Sequence, residues 1–127
     1  MAHEILKLKK VHKTAGYSHA ARVGNLLFIS GQVAKDSSDR LVGKGDISAQ
    51  AKQAFENLKA ILQEAGGNLG QVFKMTTLIT HPSYLEPYRA VRNQYFKEPF
   101  PANTLHVVQA LASPDWLIEI EAIASLD

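Results

Sequence analysis

The chain has 127 residues, 46% hydrophobic and 20% charged, a size and balance that suit a single soluble domain over residues 1–127. Such a domain buries roughly two-thirds of its unfolded surface, so it needs no metal or disulfide to fold. Cysteine is absent, which excludes a disulfide framework, a thiol nucleophile and a Cys-ligated zinc site. The net charge of +2 is too small to argue for nucleic acid, and no apolar run is long enough to span a membrane. With no leader pattern at the start, the cytoplasm is the expected location.

Taken in order, Ile5-Leu6-Lys7-Leu8 reads as a short first strand. Two extended runs, Ala20-Ala21-Arg22-Val23 and Leu26-Leu27-Phe28-Ile29-Ser30, flank Gly24-Asn25 and predict a tight hairpin closed by Gly31. A further short strand is expected near Val33, before a loop containing Gly43 and Gly45. Residues 46–65 form the clearest helix, with Ile47, Ala51, Ala54, Phe55, Leu58, Ile61, Leu62 and Ala65 on one stripe. Asp46 suits its start, and Gly66-Gly67 its end. Residues 72–80 predict a strand. Residues 84–96 predict a second helix, with Ser83 and Glu86 at capping-box spacing and Tyr84, Tyr88, Val91 and Tyr95 on its apolar face. Residues 104–108 and 117–125 supply the last strands.

This order gives an α+β domain with both helices on one face of the sheet. In the last strand Ile118, Ile120, Ala122 and Ala124 point one way, under the helices. Leu117, Glu119, Glu121 and Ile123 point the other way, toward water or another subunit. Glu119 and Glu121 are therefore either two solvated carboxylates or a general acid/base at a subunit seam, where burial and like charge raise one pKa. Ser30-Gly31 is an ordinary strand end or a place to hold a small ligand. Tyr17 either packs in its loop or walls a cleft, and Arg89 belongs to a solvated helix face or clamps an anion. Lys7, Lys9, Lys10 and Lys13 form the basic cluster, with no aromatics interleaved for stacking on bases. The five histidines lack metal-ligand spacing, and no phosphate-binding glycine motif is present, so neither a metal site nor phosphate or dinucleotide cradling is indicated.

Three blocks carry a resemblance. They are Gly16-Tyr17-Ser18-His19-Ala20 with Leu27-Phe28-Ile29-Ser30-Gly31-Gln32; Gln50-Ala51-Lys52-Gln53-Ala54-Phe55-Glu56-Asn57-Leu58 ending in Glu64-Ala65-Gly66-Gly67; and Phe100-Pro101-Ala102-Asn103-Thr104 through Leu117-Ile118-Glu119-Ile120-Glu121-Ala122-Ile123-Ala124. Together they resemble the Rid (YjgF) family of reactive-intermediate deaminases. The resemblance implies a chorismate-mutase-like fold with a mostly antiparallel sheet. It also implies a homotrimer with ligand clefts between subunits, and cofactor-free hydrolysis of enamines and imines to carbonyl compounds and ammonia. It makes Tyr17 the aromatic cleft residue, Ser30 and Gly31 substrate-binding positions, and Glu119 the carboxylate that handles water and protons. Leu105 stands where many members have cysteine, so its backbone carbonyl can still serve but no thiol can.

Asn103 stands where typical members carry the arginine that pairs with the substrate carboxylate. Loss of such a clamp costs a few kcal/mol. Either Arg89 supplies the cation, or the substrate differs. Three functions follow: a deaminase with altered substrate choice, a non-catalytic small-ligand-binding or regulatory trimer, and an endoribonuclease supported only by the basic segment.

Overall fold

The computed structural model describes residues 2–127. Its elements are β1 (Glu4–Ile5), β2 (Ala20–Val23), β3 (Leu26–Gln32), α1 (Ile47–Glu64), β4 (Val72–Ile79), α2 (Leu85–Tyr95), β5 (Ala102–Val107) and β6 (Ile118–Ser125). The strands form one sheet in the order β1-β2-β3-β6-β4-β5. All neighbours run antiparallel except β4 and β5, which run parallel because α2 carries the chain back between them. The expected α+β fold, with two helices on a mostly antiparallel sheet, is present.

In the β2–β3 hairpin Val23 pairs with Leu26, and Gly24 alone takes the positive φ, 58°, that the turn requires. The first strand is shorter than expected, and earlier. The Leu6 amide still reaches the Ala20 carbonyl, but the Glu64 carboxylate then takes the amides of Lys9 and Lys10, each at 2.8 Å. That pull toward the end of α1 replaces further strand pairing. No strand forms at Val33 either, only a bridge between Lys35 and Leu41. The buried Asn57 amide instead takes the carbonyls of Val33 and Lys35, at 3.0 and 2.9 Å.

Helix α1 starts where expected, with the Asp46 carboxylate accepting from the Ala49 amide. It ends on Gly66 at φ 86°, with the Gly67 amide returning to the Leu62 carbonyl. Its apolar stripe lies over β3 and β6, and Phe55 meets the rings of Tyr88, Tyr95 and Phe96 at 5.1–6.1 Å between centroids. The Ser83–Glu86 capping box does not form. His81 Nδ1 accepts from the Ser83 amide and opens a 3-10 turn, Pro82–Tyr84, so that α2 begins at Leu85 and Glu86 is free to meet Arg89.

Two buried amides on α1 hold the loops that flank the sheet. Gln50 donates to the Gly43 and Asp115 carbonyls and accepts from the Leu117 amide; Asn57 does the work described above. Asn57→Leu should cost roughly 1–3 kcal/mol, chiefly by stranding the Lys35 carbonyl, since the Val33 carbonyl keeps the Lys35 amide. Urea unfolding of that variant, with its midpoint unmoved, would show that water replaces the amide without penalty.

Candidate active site

The face of the sheet opposite the helices carries the candidate chemistry. On β6, Ile118, Ile120, Ala122 and Ala124 are buried beneath the helices, while Glu119 and Glu121 project to the open side as the alternation requires. A register shift decides what lies beside Glu119. Ile29 pairs with Ala122 and Gln32 with Ile120, three steps against two, so β3 carries one extra residue at Ser30–Gly31. The bulge buries Gln32 and brings Gly31 against Glu119. A Cβ on Gly31 would lie 2.7 Å from both Cγ and Cδ of Glu119, so only glycine leaves the carboxylate its place.

Burial raises the Glu119 carboxyl above the usual carboxylate range, and the like charge of Glu121 pushes the same way. Such a carboxyl can hold a proton closer to neutrality and return it. It lines a small concavity of about 160 Å³ with Gly31, Thr76, Leu78 and Glu121. A larger one of about 620 Å³ adjoins it through Thr76 and Glu121, with Tyr17, Ser30, Phe28, Ile123 and Lys74 on its walls.

Ser30 is held on three sides. Its amide donates to the His19 carbonyl at 2.8 Å, its Oγ to the Ser18 carbonyl at 2.6 Å, and its own carbonyl accepts from the Gln32 amide at 3.1 Å. With its proton directed at Ser18, the hydroxyl meets a ligand as an acceptor and not as a nucleophile. Tyr17 is 53% exposed and lies beside this strand end.

The remaining candidates lie elsewhere in the protomer. Asn103 is on the edge strand β5 level with Met75, and its Oδ1 accepts from Thr77 Oγ1 at 3.1 Å. Thr77 in turn contacts the Tyr88 hydroxyl at 3.1 Å, so this chain of hydrogen bonds runs on the helix side of the sheet. Leu105 packs its side chain against the core, and its neighbour Thr104 takes the Lys74 ammonium at 3.0 Å. Arg89 is engaged by Glu86 at 2.6 Å on an exposed helix face. One protomer thus groups Tyr17, Ser30, Gly31 and Glu119, and separates them from Asn103, Leu105 and Arg89.

The model of the family described as Endoribonuclease L-PSP matches residues 8–126. RidA from the Antarctic bacterium Psychrobacter sp. has the same fold, with a TM-score of 0.89 at 35% identity over 96% of this chain and 98% of that one. The chain belongs to the Rid family. A RutC family protein of Pyrococcus abyssi is 41% identical over 98% of each chain. The human 2-iminobutanoate/2-iminopropanoate deaminase is 37% identical over 85% of this chain and 78% of its own.

Two residues that line the concavities of this Rid chain, Lys74 and Thr76, were not legible as site residues within the strand expected over residues 72–80. The pairing of β4 with β6, which sets Lys74 level with Ile123, puts Lys74 in the larger concavity. Arg92 sits over the Phe100 ring at 4.9 Å, beside the segment that leads into Asn103. Among the described residues no group of three or more His, Asp or Glu could hold a metal ion, and no helix is long and apolar enough to cross a membrane.

Proposed function

We propose that the chain is a deaminase that hydrolyses an enamine or imine to a carbonyl compound and ammonia, in a homotrimer whose clefts lie between copies. The observation that carries this reading is Glu119, a half-buried carboxyl with raised pKa packed on Gly31 beside a concavity of ligand size. The relatives named as imine deaminases support it. Protonation of the enamine gives an electrophilic iminium. Water deprotonated by Glu119 adds to that carbon, the proton passes to nitrogen, and the C–N bond breaks to release ammonia.

The division of candidates between two faces supports the oligomer. Asn103 and the Leu105 carbonyl lie at an exposed sheet edge, while Glu119, Ser30 and Tyr17 lie on an open face that also exposes Phe28 and Phe73. Laying one copy's edge over the next copy's open face brings the two sets together and covers that apolar surface. The test is ammonia release from enzymatically generated 2-imino acids and from enamines without an α-carboxylate, with the mass of the assembly measured in parallel. A monomer at assay concentration that still turns over would sink the shared cleft.

Asn103 sets the substrate preference in this reading. Its Oδ1 is taken by Thr77, which leaves the neutral Nδ2 group for a ligand. Activity on 2-imino acids should therefore be low, and Asn103→Arg should raise kcat/KM for them about 10- to 100-fold, the value of a charged hydrogen bond. A fall in that ratio would mean that no carboxylate sits at this position. The endoribonuclease reading gains no support from the basic segment, whose Lys9 and Lys10 amides are bonded to the Glu64 carboxylate, a negative charge set among the lysines.

A further inference from the structure

Behind Ser30 and Gly31 lies a polar cluster that the proposed reaction does not use. His12, His19 and Gln32 are 3%, 6% and 0% exposed. The two imidazole rings meet edge to face at 4.7 Å. His19 Nε2 is 2.7 Å from the His12 carbonyl, and its Nδ1 is 3.0 Å from Gln32 Nε2. The same Gln32 nitrogen lies 3.1 Å from the Ser30 carbonyl.

Donor counting fixes the protons. A carbonyl only accepts, so His19 Nε2 must carry hydrogen to bond His12. The Gln32 amide nitrogen has two hydrogens, one for the Ser30 carbonyl and one for His19 Nδ1, which must therefore be bare. Turning the Gln32 amide over does not rescue a protonated Nδ1, because Oε1 would then face the Ser30 carbonyl, acceptor against acceptor. The arrangement admits a neutral ring in one tautomer and excludes the imidazolium.

We infer that His19 is a positioning residue: as the neutral Nε2–H tautomer it orients Gln32, and through Gln32 it holds the Ser30–Gly31 bulge against Glu119. Removing the Nδ1 acceptor breaks that tether and frees the bulge to move away from Glu119. This inference rests on the reading of Ser30–Gly31 and Glu119 as part of the site. His12 faces the His19 ring directly, Tyr17 lies 6.2 Å from it, and Lys35 and Asp39 act on His12. Glu119 touches the far side of the bulge.

Glutamine reproduces the neutral ring's pattern, an acceptor for Gln32 and a donor for the His12 carbonyl, and does not titrate. His19→Gln should therefore keep kcat within a few-fold of the wild-type value. His19→Leu should lose on the order of 100-fold in kcat, more than in KM, the scale of a reacting group misplaced by about 1 Å.

A readout independent of turnover separates this inference from the proposed function. In nitrogen-15-labelled Glu119→Gln protein at fixed pH, the Gly31 amide resonance should move when His19→Leu is added and stay near its place when His19→Gln is added. Long-range ring correlations should show the proton on Nε2. A Gly31 resonance that His19→Leu leaves unmoved, or a ring proton on Nδ1, overturns the inference even if the enzyme is active.

Discussion

Glu119→Gln should lower the rate of ammonia release by about 10²- to 10⁴-fold, the usual contribution of a positioned proton-transfer group, and should leave the fold intact. It should also make the protein more stable at neutral pH. Burial raises the Glu119 carboxyl, so the folded chain binds that proton more tightly than the unfolded chain does. Wild-type stability then falls as pH climbs from the ordinary carboxylate value through the raised one. Glutamine escapes that loss. Its advantage is present above the window and vanishes below it, where the wild-type carboxyl is protonated in both states. Urea unfolding across a pH series reads this directly. A variant less stable than wild type at neutral pH would show that Glu119 is held by favourable partners and is not strained by burial.

Gly31→Ala should cost on the order of 100-fold in kcat with little change in stability. The backbone there is not in the left-handed region, so alanine imposes no torsional strain. What it meets is the Glu119 side chain, whose flexible end can swing away. The fold survives and the carboxylate leaves its post, a displacement near the scale at which catalysis collapses. Coupling makes the claim specific. In a Glu119→Gln background, Gly31→Ala should cost little more, because the group it displaces no longer works. Independent, multiplying losses would place the alanine effect elsewhere in the site.

Much of this was legible in the sequence where periodicity speaks. The α1 stripe from Ala51 to Leu62 and the alternation of Ile118, Ile120, Ala122 and Ala124 state which surfaces are buried, because hydrophobic burial repeats at the period of the element. Helix ends were legible where one local residue decides, as at Asp46 and Gly66. They were not where neighbours compete, as where His81 rather than Ser83 begins the turn before α2.

Site geometry was less legible because pairing between distant strands sets it. Gly31 inside a strand is a local hint of a bulge, but only the pairing with β6 shows that the bulge carries Gly31 to Glu119. Asn103 and Glu119 are 16 positions apart on neighbouring blocks of sequence, and the sheet still sends them to different faces. Lys74 joins Tyr17 and Ser30 only through the sheet order. The polar residues Gln32, Gln50, Asn57 and His19 are buried because specific carbonyls await them, and no hydrophobic pattern records that.

The position of β6 has a consequence for how the protein is made. The last of this sheet's six strands in chain order fills the middle of the sheet, between β3 and β4. Until it arrives, both of those strands keep a bare edge that other chains can join, and the two halves of the sheet have no common seam. Formation of the sheet therefore waits on contacts between segments far apart in sequence, which favours slow folding and exposure to partner chains during synthesis. The same strand carries Glu119. A nascent chain stopped short of residue 118 lacks both the seam and the carboxylate, so assembly and chemistry become available in the same late step.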